Sequence, residues 1–120
     1  MQFYQFKKEN GFHVINYQSI AVSYTKILQT EEPTNIGLMH IEPNGIVGYH
    51  EAPVAQLYIV VEGEGWIEGE DKKRITLKSG EGVFWEEGEG HASGSDGGMT
   101  ALVIQSVSLP KPHSLSSIEG

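Results

Sequence analysis

Glycine and proline interrupt this chain at short intervals, and that punctuation constrains the fold more than any other feature. The 120 residues include 15 glycines and 5 prolines, and both residue types are unfavourable inside helices. Between them lie short segments rich in valine, isoleucine and aromatic residues, and none has an apolar stripe of helical period over three turns. Such a pattern is typical of an all-β sandwich or barrel. The segments are 12–17, 20–28, 36–41, 56–61, 65–69, 74–77, 82–85 and 99–107.

Several turns between these segments can be identified. In EGED (68–71), Gly69 is available for a positive φ, as a tight hairpin requires. KSGEG (78–82) and SDGG (95–98) offer glycines in the same way, and EPNG (42–45) predicts a sharp reversal. We therefore expect one β-domain over residues 1–107. The polar Pro/Ser-rich stretch 108–120 should form a tail that is frayed or lies along an edge.

Charge and composition exclude several functional classes. The net charge is −8, and nine of the 16 acidic residues fall between Glu62 and Glu89, so nucleic acid is not an expected partner. The absence of cysteine removes disulfides, zinc–thiolate sites and thiol catalysis. The longest apolar run covers only 57–61, which is far below the roughly 20 residues of a membrane span. Residues 1–17 lack the pattern of a signal peptide, so we expect a cytoplasmic protein with no membrane partner.

The segment 56–61 is apolar on both faces, which indicates a strand covered on both sides. Gln56 shares one face with Tyr58 and Val60, while Leu57 and Ile59 share the other. A polar amide at the start of such a strand predicts that the first face lines a cavity.

Two clusters of glycine and histidine resemble the two motifs of the cupin family, which consists of small double-stranded β-helix barrels. The first match covers 45–63 and the second covers 80–95. Together with the stretches QLYIVVEGEGWIEGED and GVFWEEGEGH, they are similar to small single-domain bacterial cupins of unassigned activity. The matching positions are Gly45, His50, Gln56 and Gly63 in the first motif and Gly80, Glu86, Gly88, His91 and Ser95 in the second.

The resemblance implies an all-β jelly-roll barrel without substantial helix, and a divalent metal held by His50, Gln56 and His91. Metal-binding cupins use three histidines and a glutamate, but here Ala52 replaces one histidine and Gln56 replaces the glutamate. The remaining ligands suit Mn, Fe, Ni or Zn, although all three are neutral and leave the cation's charge poorly compensated. A carboxylate-bearing ligand would supply that charge, and no organic cofactor is expected.

Other residues near the two motifs are candidates for contacts with a small-molecule ligand. Tyr58 and Trp85 are expected to form walls of the pocket, and Glu89 lies two residues from His91 in a glycine-rich loop, from which it can reach inward. The remaining histidines, His13, His40 and His113, lie outside the motifs and are interpreted as core or surface residues.

Three functions remain open at this level. The chain is a binding module for a metal or a small polar ligand, a metal-dependent isomerase, dioxygenase or decarboxylase, or a structural or sensor barrel with a degenerate site. The catalytic residues are unknown, and Glu86, Glu89 and Tyr58 are the nearby groups able to transfer a proton. Because the segments 12–17 and 20–28 are more apolar than a barrel of this size needs, we expect a homodimer.

Overall fold

The computed structural model describes residues 1–112 and 117–118, and this part of the chain is almost entirely β-structure. Two short 3₁₀ turns, Lys8–Asn10 and Asn16–Gln18, are its only helical segments. The all-β prediction is thus confirmed. The strands are β1 (Gln2–Gln5), β2 (Phe12–His13), β3 (Ser23–Tyr24), β4 (Asn35–Ile41), β5 (Gly45–Glu51), β6 (Ala55–Glu68), β7 (Arg74–Lys78), β8 (Glu81–Trp85), β9 (Gly90–Ser95), β10 (Met99–Ser106) and β11 (Ser117–Ile118).

Two antiparallel layers share the long strand β6. The first half of β6 pairs with β8 and β10 in a sheet of order β11-β1-β8-β6-β10-β4. Its second half pairs with β7 and β9, and β9 pairs with β5. The sequence predicts two separate segments, 56–61 and 65–69, where the structure has this one continuous strand.

Gly63 lies where β6 passes from one layer to the other. Its φ is +79°, and a Cβ at this position would collide with the carbonyl oxygen of Gly98. Only glycine meets both requirements without strain, which explains why a glycine stands at this position of the first motif.

The interior between the layers is apolar. Tyr58 and Val60 from β6 pack there with side chains from β7, β8 and β10, and Val60 has no exposed surface. Leu57 and Ile59 face the other way and form a second cluster, which Ile27, Leu28 and other side chains of the same chain cover. The predicted division of this strand into two buried faces is confirmed.

The N-terminal segments differ from the sequence-based expectation. Of the predicted segment 12–17, only Phe12–His13 is a strand, and of 20–28 only Ser23–Tyr24 is. These two short strands pair with each other in a separate two-stranded sheet. Within the described chain, neither strand pairs with the main sheets. The strands therefore stay short, because no neighbouring strand satisfies the backbone groups of the residues around them.

The end of the chain is described only in part. Leu109 is buried in the second cluster, and Ser117–Ile118 pairs with β1. Residues 113–116 and 119–120 of the predicted tail lie outside the described residues, as does His113.

Candidate functional site

The pairing of β5 with β9 brings His50 and His91 together. The two residues are direct cross-strand partners, although 41 positions separate them along the chain. Their rings meet edge to face, with centroids 4.5 Å apart and an interplanar angle of 61°. His50 is exposed whereas His91 is buried, so the imidazole pair lies at the boundary between the barrel interior and solvent.

Each imidazole uses the same ring nitrogen to contact the backbone. Nδ1 of His50 lies 2.8 Å from the carbonyl oxygen of Gly48, and Nδ1 of His91 lies 3.1 Å from that of Glu89. A carbonyl only accepts hydrogen bonds, so each Nδ1 must donate its proton. In the neutral rings, Nε2 is then unprotonated, and this nitrogen can bind a metal or accept a hydrogen bond.

A loop before β9 fixes the backbone next to His91. The N–H of Ala52 donates to the carbonyl of Glu89, and the N–H of Gly88 donates to the carbonyl of Ala52, both at 2.9 Å. Gly88 has a φ of +89°, which favours glycine at this motif position. Ala52 itself is buried in the interior cluster, so the position that carries a second histidine in metal-binding cupins is packed into the core.

Aromatic side chains pack against the buried imidazole of His91. Trp85 stacks on His91 with ring centroids 3.7 Å apart and planes 9° from parallel. Tyr58 packs edge-on against Trp85 at 5.5 Å, and its hydroxyl donates to Oγ of Ser93 at 3.3 Å. Burial raises the pKa of Tyr58 and outweighs the opposing effect of that hydrogen bond.

The indole nitrogen of Trp85 has no hydrogen-bond partner. Among the described residues, it is the one buried side-chain nitrogen or oxygen in this state. Because an unsatisfied buried donor costs about 1–3 kcal/mol, this N–H is a place where an acceptor from a bound molecule would be stabilising.

Gln56 faces the same side of β6 as Tyr58, as the sequence predicts, and it is almost buried. Its amide nitrogen donates to Oε1 of Gln105 on β10 at 3.0 Å, and its cross-strand partner on β8 is Trp85. The structure therefore pairs this amide with another amide, and the close contacts of the imidazoles are with each other and with Trp85. Sequence reasoning missed Gln105, although a lone polar residue after an apolar run in β10 is the same signal that singles out Gln56.

Glu89 turns its carboxylate to the N-terminus. Its two oxygens lie 2.9 Å and 2.6 Å from the ammonium group of Met1, and one also accepts the N–H of Glu86 at 2.8 Å. Burial raises the pKa of Glu89, but these hydrogen bonds and the positive charge of Met1 outweigh it, so the pKa lies below its usual value. The sequence predicts that Glu89 reaches inward to a ligand, but in the structure its carboxylate bonds to the N-terminal ammonium group instead.

His91 is kept neutral by its surroundings. Burial lowers the pKa of its imidazole, and the neighbouring His50 lowers it further, against the opposing effects of the Glu89 carbonyl and carboxylate. The net pKa is below the ordinary value of a histidine. A neutral imidazole is the form that binds a metal.

The residues present fit only part of a metal site. No group of three or more histidine, cysteine, aspartate or glutamate side chains converges anywhere in residues 1–112 or 117–118 in a way that could hold an ion. The imidazole pair supplies two nitrogens, and the other positions around a cation would have to come from water or from a bound ligand. Of the other histidines, His40 lies on β4 near Thr100, and His13 lies on β2.

The described part of the chain contains no helix with the length and hydrophobicity needed to cross a membrane.

Comparison with known protein families shows a match to the cupin domain. A sequence model of the cupin domain matches residues 37–106, which include both motifs and strands β5 to β10. No curated protein matches the chain.

Solved structures share the fold at low sequence identity. A cupin superfamily protein from Desulfitobacterium hafniense has a TM-score of 0.59 at 22% identity, over 69% of this chain and 75% of its own. A protein from Shewanella frigidimarina with a cupin-2 domain has a TM-score of 0.55 at 22% identity, over 67% and 76%. A protein from Thermotoga maritima described as a predicted oxalate decarboxylase has a TM-score of 0.53 at 25% identity, over 57% and 62%. These similarities agree with a jelly-roll barrel.

Proposed function

Because this chain belongs to the cupin family, we propose that it binds one divalent transition metal through His50 and His91, together with a small carboxylate-bearing ligand. The observation that carries the proposal is the contact between two imidazoles whose hydrogen bonds set the same tautomer. Both have Nδ1 against a backbone carbonyl, which leaves Nε2 of each neutral ring unprotonated and able to bind a metal. Neutral imidazoles held in this way are typical of metal ligands with a fixed tautomer.

The carboxylate is proposed on grounds of charge. Two neutral nitrogens do not compensate a divalent cation in a partly buried site, and Glu89 is engaged by Met1. A ligand with its own negative charge would complete the coordination and neutralise the ion. The Thermotoga maritima relative is described by an activity on oxalate, which is a ligand of this chemical class.

Binding is favoured over catalysis. When bound, a metal of this kind polarises an oxygen of its ligand, but a reaction also needs a group that moves a proton. Of the nearby candidates, Glu89 is held by an ammonium group and a backbone N–H, and Tyr58 is buried with a raised pKa. Glu86 is exposed and its carboxylate pairs with Lys111.

Tryptophan fluorescence gives a direct test, since Trp85 stacks on the proposed ligand His91. The second tryptophan, Trp66, lies under Arg74, and the variant Trp66→Phe isolates the signal of Trp85. We expect Ni²⁺, Mn²⁺, Fe²⁺ or Zn²⁺ to change this signal saturably at one equivalent, with tighter binding when oxalate is present. Metal content of untagged protein, measured by mass spectrometry, checks the stoichiometry.

Histidine variants assign the binding site. His50→Ala and His91→Ala should each weaken metal binding at least about 100-fold, because even second-layer partners of a metal ligand contribute 10–100-fold. His13→Ala is the matched control and should leave binding unchanged. Equal binding in all three variants, or no saturable signal with any of the four ions with or without oxalate, would refute the proposal.

A degenerate barrel without metal is the second candidate, and the hydrogen bond between Gln56 and Gln105 favours it, because it satisfies the amide without any ligand. The metal titration described above separates the two candidates, and Gln56→Glu tests whether position 56 reaches the metal. If position 56 reaches the metal, the added charge should raise affinity by about tenfold or more. If position 56 does not reach the metal, the substitution only removes the hydrogen bond to Gln105, and the protein becomes less stable.

A further inference from the structure

Residues 11–24 form an apolar projection, which we term the N-terminal hairpin. Its strands β2 and β3 pair only with each other within the described chain. The side chains of Ile15, Tyr17 and Ile20 are 81%, 95% and 87% exposed, and Phe12 is 60% exposed. Single exposed apolar residues are ordinary, but a contiguous group of this size marks an interaction surface.

The hairpin also contains strained backbone. Tyr17, Gln18 and Ala21 have φ values of 60°, 59° and 59°, in the left-handed region that costs a non-glycine residue roughly 1–2 kcal/mol. Such conformations persist only where the surroundings hold them. The described chain places little around these residues, and this is a second reason to expect a covering partner.

A matching open surface lies on β4, and we term it the β4 face. Ile36 and Leu38 are 67% and 58% exposed there. They pair across the strands with Ile104 and Leu102, which belong to the outer apolar cluster beneath Ile27 and Leu28. The apolar layer thus continues onto β4 beyond the segment that covers it. A groove of about 320 Å³ lies along the edge of this strand and is lined from both of its faces. In the part of the chain that the structure describes, the strand pairs with β10 alone.

Both surfaces are free of formal charge in a strongly charged chain. Of 24 charged residues in total, 8 basic and 16 acidic, none lies in 10–25 and none in 33–41. Two copies that each carry −8 repel each other wherever acidic surfaces meet. These two regions are where copies can approach without that repulsion.

We propose that the N-terminal hairpin of one copy packs on the β4 face of a second copy, and that the exchange is reciprocal about a twofold axis. In such an arrangement each copy supplies one hairpin and one face, as a closed symmetric dimer requires. The exposed apolar side chains of the two surfaces amount to on the order of 1,000 Å² per copy, which is comparable with the ~800 Å² per partner of a standard stable interface. The proposal goes beyond the metal site and does not depend on it.

Cross-linking of the full chain tests the contact directly, because the protein has no cysteine of its own. Two single-cysteine proteins, Tyr17→Cys and Leu38→Cys, are mixed with only one of them carrying an affinity tag, and a short bis-maleimide is added. We expect a mixed product that joins the hairpin of one copy to the β4 face of the other. Val107→Cys is the control, since Val107 is 73% exposed but lies outside both surfaces, and it should give no mixed product with Tyr17→Cys.

Sedimentation equilibrium gives the oligomeric state at micromolar concentration. Wild type should be a dimer, and Ile20→Glu and Leu38→Glu should each raise the dissociation constant at least about 100-fold, as at an interface hot spot. Both side chains are exposed, so folding should persist, and Val107→Glu should leave the dimer intact. A monomeric wild type would overturn the proposal, and so would a dimer unaffected by both glutamate variants. Cross-links only between hairpins, or a monomer that floats with neutral lipid vesicles, would also overturn it.

Discussion

Strands β6 and β4 flank the same strand, β10, and both consist mainly of apolar residues in this region. On one side of Leu102 lies Ile59 of β6, and on the other lies Leu38 of β4. Ile59 is 3% exposed whereas Leu38 is 58% exposed. The difference comes from neighbours. The first half of β6 has a hydrogen-bonded strand on each edge and a packed layer on each face, whereas β4 has one edge partner and one open face.

This contrast teaches that an apolar strand is not by itself a core strand. What it does depends on whether the same chain supplies the covering layer or leaves it to another molecule. The first half of β6 lies next to the candidate metal site, where rigidity positions side chains, and β4 lies where we propose a second copy. Three further predictions compare the closed region with the open one.

The largest effect is expected from the same substitution in the two strands. Leu57→Ala removes a side chain with no exposed surface and should lower the free energy of unfolding by about 2–5 kcal/mol. Leu38→Ala should change it by less than about 0.5 kcal/mol in the monomer. Denaturant unfolding at two protein concentrations measures both values and separates any contribution from dimerisation. Similar losses at the two positions in dilute protein would show that β4 is covered within one chain.

The second comparison replaces one glycine in each strand by alanine and measures the change in stability. Gly63→Ala forces a side chain into a positive φ and against the carbonyl of Gly98, so unfolding should become easier by on the order of 2 kcal/mol. A Cβ at Gly37 in β4 would meet no atom within 4 Å, and Gly37→Ala should be neutral or stabilise by up to about 1 kcal/mol. Thermal unfolding of the pair checks this, and a destabilised Gly37→Ala protein would contradict the open description of β4.

The smallest effect concerns the pH dependence of stability. The pKa of His91 in the folded protein is lowered, first by burial, so as pH falls below about 6.5 the unfolded chain takes up a proton that the folded imidazole does not. The free energy of unfolding should therefore decrease as pH falls from about 6.5 towards the folded pKa, by at most about 1.4 kcal/mol per pH unit.

His91→Gln should remove this part of the slope, measured as denaturant unfolding between pH 5 and 8. His40→Gln, on exposed β4, is the matched control and should retain it. If His91→Gln keeps the full slope, the buried imidazole is not its source.

Much of the fold could be predicted from local sequence. Glycine spacing and β-branched segments led to an all-β domain, and the alternation in 56–61 assigned Tyr58 and Leu57 to opposite buried faces. Predictions of this kind succeed because strand periodicity and backbone torsion are properties of a few consecutive residues. The resemblance to the cupin motifs, rather than any local pattern, implies that His50, Gln56 and His91 meet. The structure has the two imidazole rings 4.5 Å apart centre to centre, whereas Gln56 bonds to Gln105.

Local reasoning failed at one turn and at three strands. Gly69 was expected to take the positive φ of its turn, but in the structure Lys72 takes it, with φ +64°. The strands β1, β5 and β9 carry weak local signals, since β5 and β9 each contain glycine and polar residues. They are strands because neighbouring strands satisfy their backbone groups.

The sequence by itself determined that this chain forms a β-domain, because glycine torsion and side-chain alternation are local, and the resemblance of its two motifs to those of cupins indicated that two imidazoles meet. Only the tertiary structure decided that Gln56 bonds to Gln105, that Glu89 bonds to Met1, and that β4 stays open. Each of these depends on which groups of distant segments meet, and the pattern of one segment alone does not say which partner satisfies its polar groups.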